Sequence, residues 1–319
     1  MTQRLPFVMA FYRALGTGMV ISADSPIDDK VRPAMESLIE DYEHVLSRFR
    51  NDSLIAAIGK AEHGGSFDFP DWCAPLFDLY DALFSATSGA IDPCVGEDLI
   101  RLGYDASLSF TVTQDAPEHL GALRGRAVWG RDVTRHGTTL VTHEPVQLDF
   151  GACGKGYLVD LLGRMLQSSQ FVIDAGGDLL IHAEQPISVA LEDPEDQSHA
   201  IGIAHIANGA LCASAPSRRH WNVAVNERTQ IAIHHLLNAI DGLPAQQTEA
   251  SWAYVPANAT LNLARDYPTA VADGLATALF VSDVAQLQRT FDFTYATLDE
   301  SRQIAVSRNF PAELFLRSA

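Results

Sequence analysis

Apolar residues at Val31, Met35, Leu38, Tyr42, Val45 and Phe49 recur at alternating spacings of four and three, the repeat of one buried helix face, and predict a helix over residues 27–49. Pro33 is compatible with it only in the first turn. Leu76, Phe77, Tyr80, Leu83 and Phe84 predict a second helix over 74–87 that stops at Ser88-Gly89. Leu158, Val159, Leu162, Met165 and Leu166 predict a third over 156–166, and Leu275, Leu279 and Phe280 a fourth over 271–281. Between the first two, Asp52 or Ser53 is suited to cap a further short helix.

Elsewhere the pattern shortens to that of strands. Two β-like runs over 7–22 flank Gly16-Thr17-Gly18, the punctuation of a turn. Short strands are expected between 127 and 149, the last, 141–148, leading directly into a glycine-rich stretch. Residues 171–181 read as a strand broken by Gly176-Gly177 and resumed, with more strands near 187–191, 199–206, 209–214 and 222–234. Strands that follow one another without helices between them point to antiparallel sheets and an α+β class.

In the glycine-rich stretch, Gly151, Gly154 and Gly156 surround Lys155. Glycines let backbone approach a ligand closely, and free N–H groups at a helix start attract anions, so a phosphate is one candidate occupant. The spacing is neither that of a Walker A loop nor that of the dinucleotide fingerprint, and on glycine content alone a tight strand-to-helix turn with a solvated lysine is the favoured reading. Asp92, in Ala90-Ile91-Asp92-Pro93, is suited to a turn cap or a ligand contact, the cap being the commoner use. Asp273 and Thr277 lie one helical turn apart, so their oxygens share a face and can meet one hard cation. The alternative makes Asp273 an acid that favours the helix dipole and Thr277 a residue bonding back to the preceding turn.

Composition narrows the partners. With 47% hydrophobic and 19% charged residues the chain is an ordinary globular one, and 319 residues can form two domains or one large one, either with a real core. A net charge of −18 argues against wrapping nucleic acid or an anionic membrane, so an anionic substrate needs a local lysine, helix terminus or cation. Cys73, Cys94, Cys153 and Cys212 lack zinc-site spacing and are expected to be reduced, buried thiols. The apolar run over 5–12 ends at Arg13 without a cleavage pattern, and the first cysteine is at 73; no membrane anchor and a cytoplasmic location are expected.

In order, these pieces resemble the ApbE family of FAD:protein FMN transferases. The resemblance runs through Leu15-Gly16-Thr17, Ser47-Arg48-Phe49 with Asp52-Ser53, Thr87-Ser88-Gly89-Ala90-Ile91-Asp92-Pro93, Asp149-Phe150-Gly151 with Lys155-Gly156, Gly176-Gly177-Asp178, His235-Leu236-Leu237-Asn238, and Ala272-Asp273 with Thr277. It implies one T-fold-like α+β domain over 1–319, with antiparallel or mixed sheets and packed helices. FAD is implied as substrate and Mg²⁺ as cofactor, the metal held by Asp273, Thr277 and the main chain of Ala152. Asp149, Lys155, Ala90, Ile91, Asp92, the main chain of Leu237, Leu15 and Phe49 are implied FAD contacts, and His235 a candidate general base. A serine or threonine of an acceptor protein would receive FMN with release of AMP; FAD hydrolysis to FMN and AMP, or FAD binding without turnover, are the alternatives. The pattern departs at Leu15 (methionine in the family), Gly59 (asparagine), Ala213-Ser214-Ala215 (Thr-Ser-Gly) and Asn238-Ala239 (Asp-Pro), which bears on the adenine and flavin pockets more than on the metal pair.

Overall fold

The computed structural model describes residues 5–226 and 229–315. Its centre is an antiparallel sheet in the order Phe7–Ala14, Thr17–Ala23, Phe171–Asp174, Asp178–Glu192, Ala200–Ser214, Thr248–Pro256, Thr294–Asp299 and Ile304–Val306, with Ala312–Leu314 also paired to Ala200–Ser214. Together with the helices this is the α+β arrangement expected.

Alternation along the strands sorts the core into two faces. Ala210, Cys212, Ala253 and Val255 point to the side covered by the helices Val31–Leu46, Ala74–Ala86, Gly151–Gly163 and Pro268–Ala278. Leu179, Ile181, Leu211 and Trp252 point to the other side, where they form one buried cluster with Ala296, Leu298, Ile304 and Phe310. The helix face therefore receives small side chains from the middle strands. Small residues there let Pro268–Ala278 lie close to the sheet, and Ser251 on the facing strand donates to the Ala276 carbonyl at 2.6 Å.

The first two predicted helices appear as Val31–Leu46 and Ala74–Ala86, and Ser53 caps Leu54–Lys60 through the N–H of Ala56. Four expectations shift. The first hairpin turns at Leu15 and Gly16, both at positive φ (53° and 75°), rather than at Gly16-Thr17-Gly18. The strand expected over 141–148 ends at Thr142. The 222–234 strand is a hairpin of His220–Asn226 and Thr229–His234, its residues 227 and 228 lying outside those described. Most consequentially, the helix expected from 156 begins at Gly151 and contains all three glycines.

That helix start has a packing cause. None of Gly151, Gly154 and Gly156 uses a positive φ. A Cβ at Gly156 would come within 2.3 Å of the Thr269 carbonyl oxygen, and one at Gly154 within 3.3 Å of the Tyr42 hydroxyl. At 154 and 156 the absent side chain thus serves helix contact rather than a loop.

All four cysteines are free and buried. Burial pushes all four thiols well above the ordinary range, which disfavours thiolate chemistry. Thiol titration of denatured, unreduced protein is expected to count four groups; two or none would contradict this reading. Among the described residues no helix is long and apolar enough to cross a membrane.

Candidate active site

Two helices in contact carry the implied metal residues. Asp273 is only 4% exposed, and its Oδ2 accepts the Gly156 N–H at 2.9 Å. Thr277 Oγ1 stands 3.5 Å from the Ala152 carbonyl oxygen, long for a hydroxyl hydrogen bond. Among the described residues Thr277 does not bond back to its own helix. Burial raises the Asp273 carboxyl above the ordinary range while nearby Lys155 and the Gly156 N–H pull it down. A carboxylate, a hydroxyl and a carbonyl thus sit on facing surfaces, all hard donors of the type Mg²⁺ prefers. No group of three or more His, Cys, Asp or Glu that could hold a metal occurs among the described residues.

Lys155 is not the solvated lysine of a loop. From the second turn of its helix its Nζ pairs with Asp178, whose side chain is fully buried at the start of Asp178–Glu192. Asp178 is brought there because Gly176 and Gly177, at positive φ, turn the chain sharply between two paired strands. A Cβ on Gly176 would meet Thr17 Oγ1 at 2.7 Å, which sets the Leu15–Gly16 turn beside this corner. Leu15 itself donates its N–H to Glu43 at 2.9 Å.

Asp149 lies just before the start of the same helix. Its Oδ1 accepts the Gly151 N–H at 2.7 Å and its Oδ2 pairs with Arg48. The Arg48 guanidinium lies 4.2 Å from the ring centre of the exposed Phe49 and 4.7 Å from that of Tyr104. Asp149 N–H bonds to the Pro93 carbonyl at 2.7 Å, tying this group to the 90–92 segment.

Ala90, Ile91 and Asp92 are buried, and Asp92 has the cap role that its setting suggested. Its carboxylate accepts from Cys94 N–H at 2.8 Å and faces Arg126, which is itself buried between Asp92 and Asp98 at 3.3 and 2.8 Å. Arg126 also donates to the Ala239 carbonyl, and Ala239 N–H bonds to the Ala90 carbonyl. The 90–92 segment and the 235–239 loop are thereby clamped together. In that loop Leu237 is buried and pairs with Pro244.

His235 Nδ1 lies 3.2 Å from the Arg219 carbonyl oxygen, which only accepts, so Nδ1 carries the proton and Nε2 keeps its lone pair. Burial pushes the imidazolium down to about 4, with Asp149 pulling weakly the other way. An NMR titration is expected to find the half-buried His235 neutral down to about pH 5; a midpoint near 6.5 would contradict this.

The structure thus gathers Ala152, Lys155, Asp273 and Thr277 at one centre, and Asp149, Phe49 and the 90–92 segment around the start of the same helix. Among the described residues no hydrogen bond or ion pair joins Leu15 or Leu237 to the Asp273 centre. Sequence reasoning did not single out Arg48, Asp178 or Arg126 as site residues. A carboxylate opening an apolar run, as in Asp178-Leu179-Leu180-Ile181, was the available signal for Asp178; Arg126 offered none.

An α+β protein with hard oxygen donors on two packed helices, beside a lysine paired with a buried aspartate, is the class that fold and site define. A model of the ApbE family matches residues 15–297, and the chain belongs to that family. A Treponema pallidum (strain Nichols) protein named FAD:protein FMN transferase is 27% identical over 286 residues, covering 79% of this chain and 72% of the relative. The ApbE protein of Thermotoga maritima superposes with a TM-score of 0.78 at 20% identity, covering 96% of this chain and 99% of that one. The flavin transferase ApbE from Vibrio cholerae does so with 0.74 at 18% identity, covering 95% and 97%. At such identities the two structures speak to the fold alone.

Proposed function

We propose that the chain is one domain over 1–319 that transfers FMN from FAD to a serine or threonine hydroxyl of an acceptor protein, releasing AMP. Membership of the ApbE family and the activity for which the Treponema relative is named support the reaction class. The observation that carries the reading at the site is the buried Asp273 carboxylate one helical turn from Thr277, whose Oγ1 faces the Ala152 carbonyl, a donor set that fits Mg²⁺. Those three residues would hold the metal; when bound it supplies Lewis-acid polarisation of a phosphoryl group and charge for the departing AMP phosphate.

The chain's own residues do the rest. Lys155, 29% exposed, presents its ammonium at the edge of this centre, offering charge to a diphosphate that a protein of net charge −18 otherwise repels. FAD would lie beside Asp149 and the exposed Phe49, over the buried Ala90-Ile91-Asp92 segment, with Leu15 and the Leu237 main chain as further contacts. Asp92 acts there through the shape it fixes, its oxygens being engaged by Cys94, Trp129 and Arg126. In the reaction the acceptor oxygen bonds to the FMN phosphorus, the bond from that phosphorus to the AMP oxygen breaks, and the hydroxyl proton moves to a base. His235 Nε2 is the candidate base, available at every pH above about 5. A cytoplasmic location accompanies this reading.

AMP release from FAD with Mg²⁺, measured with and without an acceptor peptide, tests the proposal. Release that depends on the peptide supports transfer. Equal release without it, with free FMN, makes water the nucleophile and the protein a pyrophosphatase. FAD retained without any AMP leaves a binding protein.

A further inference from the structure

The two helices that carry the metal residues are joined at three levels. Ala152 O faces Thr277 Oγ1 at 3.5 Å, and Gly156 N–H meets Asp273 Oδ2 at 2.9 Å. At the third level the Asp160 carboxylate accepts the main-chain N–H groups of Thr269 at 3.1 Å and Ala270 at 2.8 Å. Positions 152, 156 and 160 on one helix thus oppose 277, 273 and 269 on the other, each step one turn. The helices run antiparallel, with successive levels about 6 Å apart. The first two levels hold oxygens assigned to the cation; the third has no part in the chemistry above.

We propose that Asp160 is a positioning residue: by gripping the start of Pro268–Ala278 it sets the register in which Asp273, Thr277 and the Ala152 carbonyl converge on one divalent cation. The inference rests on the metal reading of those three residues.

The local chemistry makes the grip specific. Pro268 has no N–H, so Thr269 and Ala270 offer the first main-chain donors of that helix, and its preceding residue, Tyr267, supplies no side-chain cap. Asp160 comes from the neighbouring helix, is 3% exposed, and uses both oxygens on these two donors. Burial pushes its carboxyl up to about 7 while the N–H groups pull it down, so the carboxylate is kept in an apolar place against its own preference. Close packing at Gly156 brings the backbones together at the middle level, and the Cys153 Cβ would lie 3.3 Å from a Cβ on Gly274. Contacts this close hold the helices together; the Asp160 hydrogen bonds at one end fix their offset.

Mn²⁺ binding, followed by loss of the free-ion EPR signal, tests this in wild type, Asp160→Asn, Asp160→Ala and Asp273→Asn, with circular dichroism as the check on fold. Wild type is expected to bind and Asp273→Asn to lose binding. Asp160→Ala should weaken Mn²⁺ binding about tenfold or more, the usual effect of removing a residue that orients a metal ligand. Asp160→Asn, which keeps one acceptor oxygen, should fall between. If Asp160→Ala does not fold, Asp160→Asn decides alone. Wild-type affinity in either folded Asp160 variant, even with a lowered melting temperature, would make Asp160 a helix cap only and overturn the inference while leaving the metal site standing. A wild type that does not bind Mn²⁺ would remove the metal site and this inference with it.

Discussion

Asp273→Asn is expected to lower Mg²⁺-dependent AMP release from FAD by about a hundredfold or more, with little change in thermal stability in metal-free buffer. The size follows from removing the one charged donor. Lewis-acid stabilisation by a bound cation is worth several kcal/mol, and about 3 kcal/mol already corresponds to roughly a hundredfold. Stability is spared because asparagine still offers an oxygen to the Gly156 N–H, and because a carboxylate that is 4% exposed carries a desolvation cost that the neutral amide lacks. Thr277→Val should act in the same direction and more mildly, since a neutral hydroxyl gives a hard cation less than a carboxylate does. If Asp273 were only an acid favouring the helix dipole, the substitution would cost at most about 1 kcal/mol of stability and leave turnover intact. A Mg²⁺ titration of AMP release in the two variants separates these, and wild-type metal dependence in Asp273→Asn would exclude the site.

Lys155→Met is expected to destabilise the protein by about 3 kcal/mol, near the low end of what breaking a buried ion pair costs, because it strands the Asp178 charge. Asp178 is fully buried and Lys155 is 29% exposed, so the aspartate is the partner that cannot turn to water. Lys155→Met combined with Asp178→Asn should recover most of the loss, since neither residue is then a charge without a partner. Urea unfolding of the two singles and the double measures the coupling. A Lys155→Met protein as stable as wild type would mean the pair contributes nothing. The double variant also isolates the ligand role, because any remaining loss of FAD affinity in it comes from the missing ammonium and not from a weakened fold.

The sequence pattern revealed elements most clearly where local spacing and burial coincide. Met35, Tyr42 and Leu46 line one buried stripe of Val31–Leu46, and Leu76, Phe77, Tyr80 and Leu83 line that of Ala74–Ala86. The start of Gly151–Gly163 was hidden because three glycines in six positions have poor helix propensity and read as a loop. What makes them helical is distant in sequence: the Thr269 carbonyl and the Tyr42 hydroxyl occupy the space side chains would need. Propensity yielded there to tertiary contact.

The site divides in the same way. Asp273 and Thr277 could be paired from one helix repeat, whereas the Ala152 carbonyl is a main-chain group with no residue-type signature and entered only through the family resemblance. Asp92 has the cap role its setting suggested, but its burial beside Arg126 did not announce itself, because arginines are ordinarily exposed and this one lies 34 residues away. Lys155 was legible as a charge near glycines and not as one half of a pair, since Asp178 reaches it only after the Gly176–Gly177 corner folds back.

The mass of an acceptor peptide after incubation with the protein, FAD and Mg²⁺ tests the central claim most directly. The account predicts one FMN phosphoryl group added to a serine or threonine, one AMP released for each, and neither product when the metal is chelated. A peptide of unchanged mass with FAD left intact, at Mg²⁺ concentrations that saturate Asp273 and its neighbours, would contradict it.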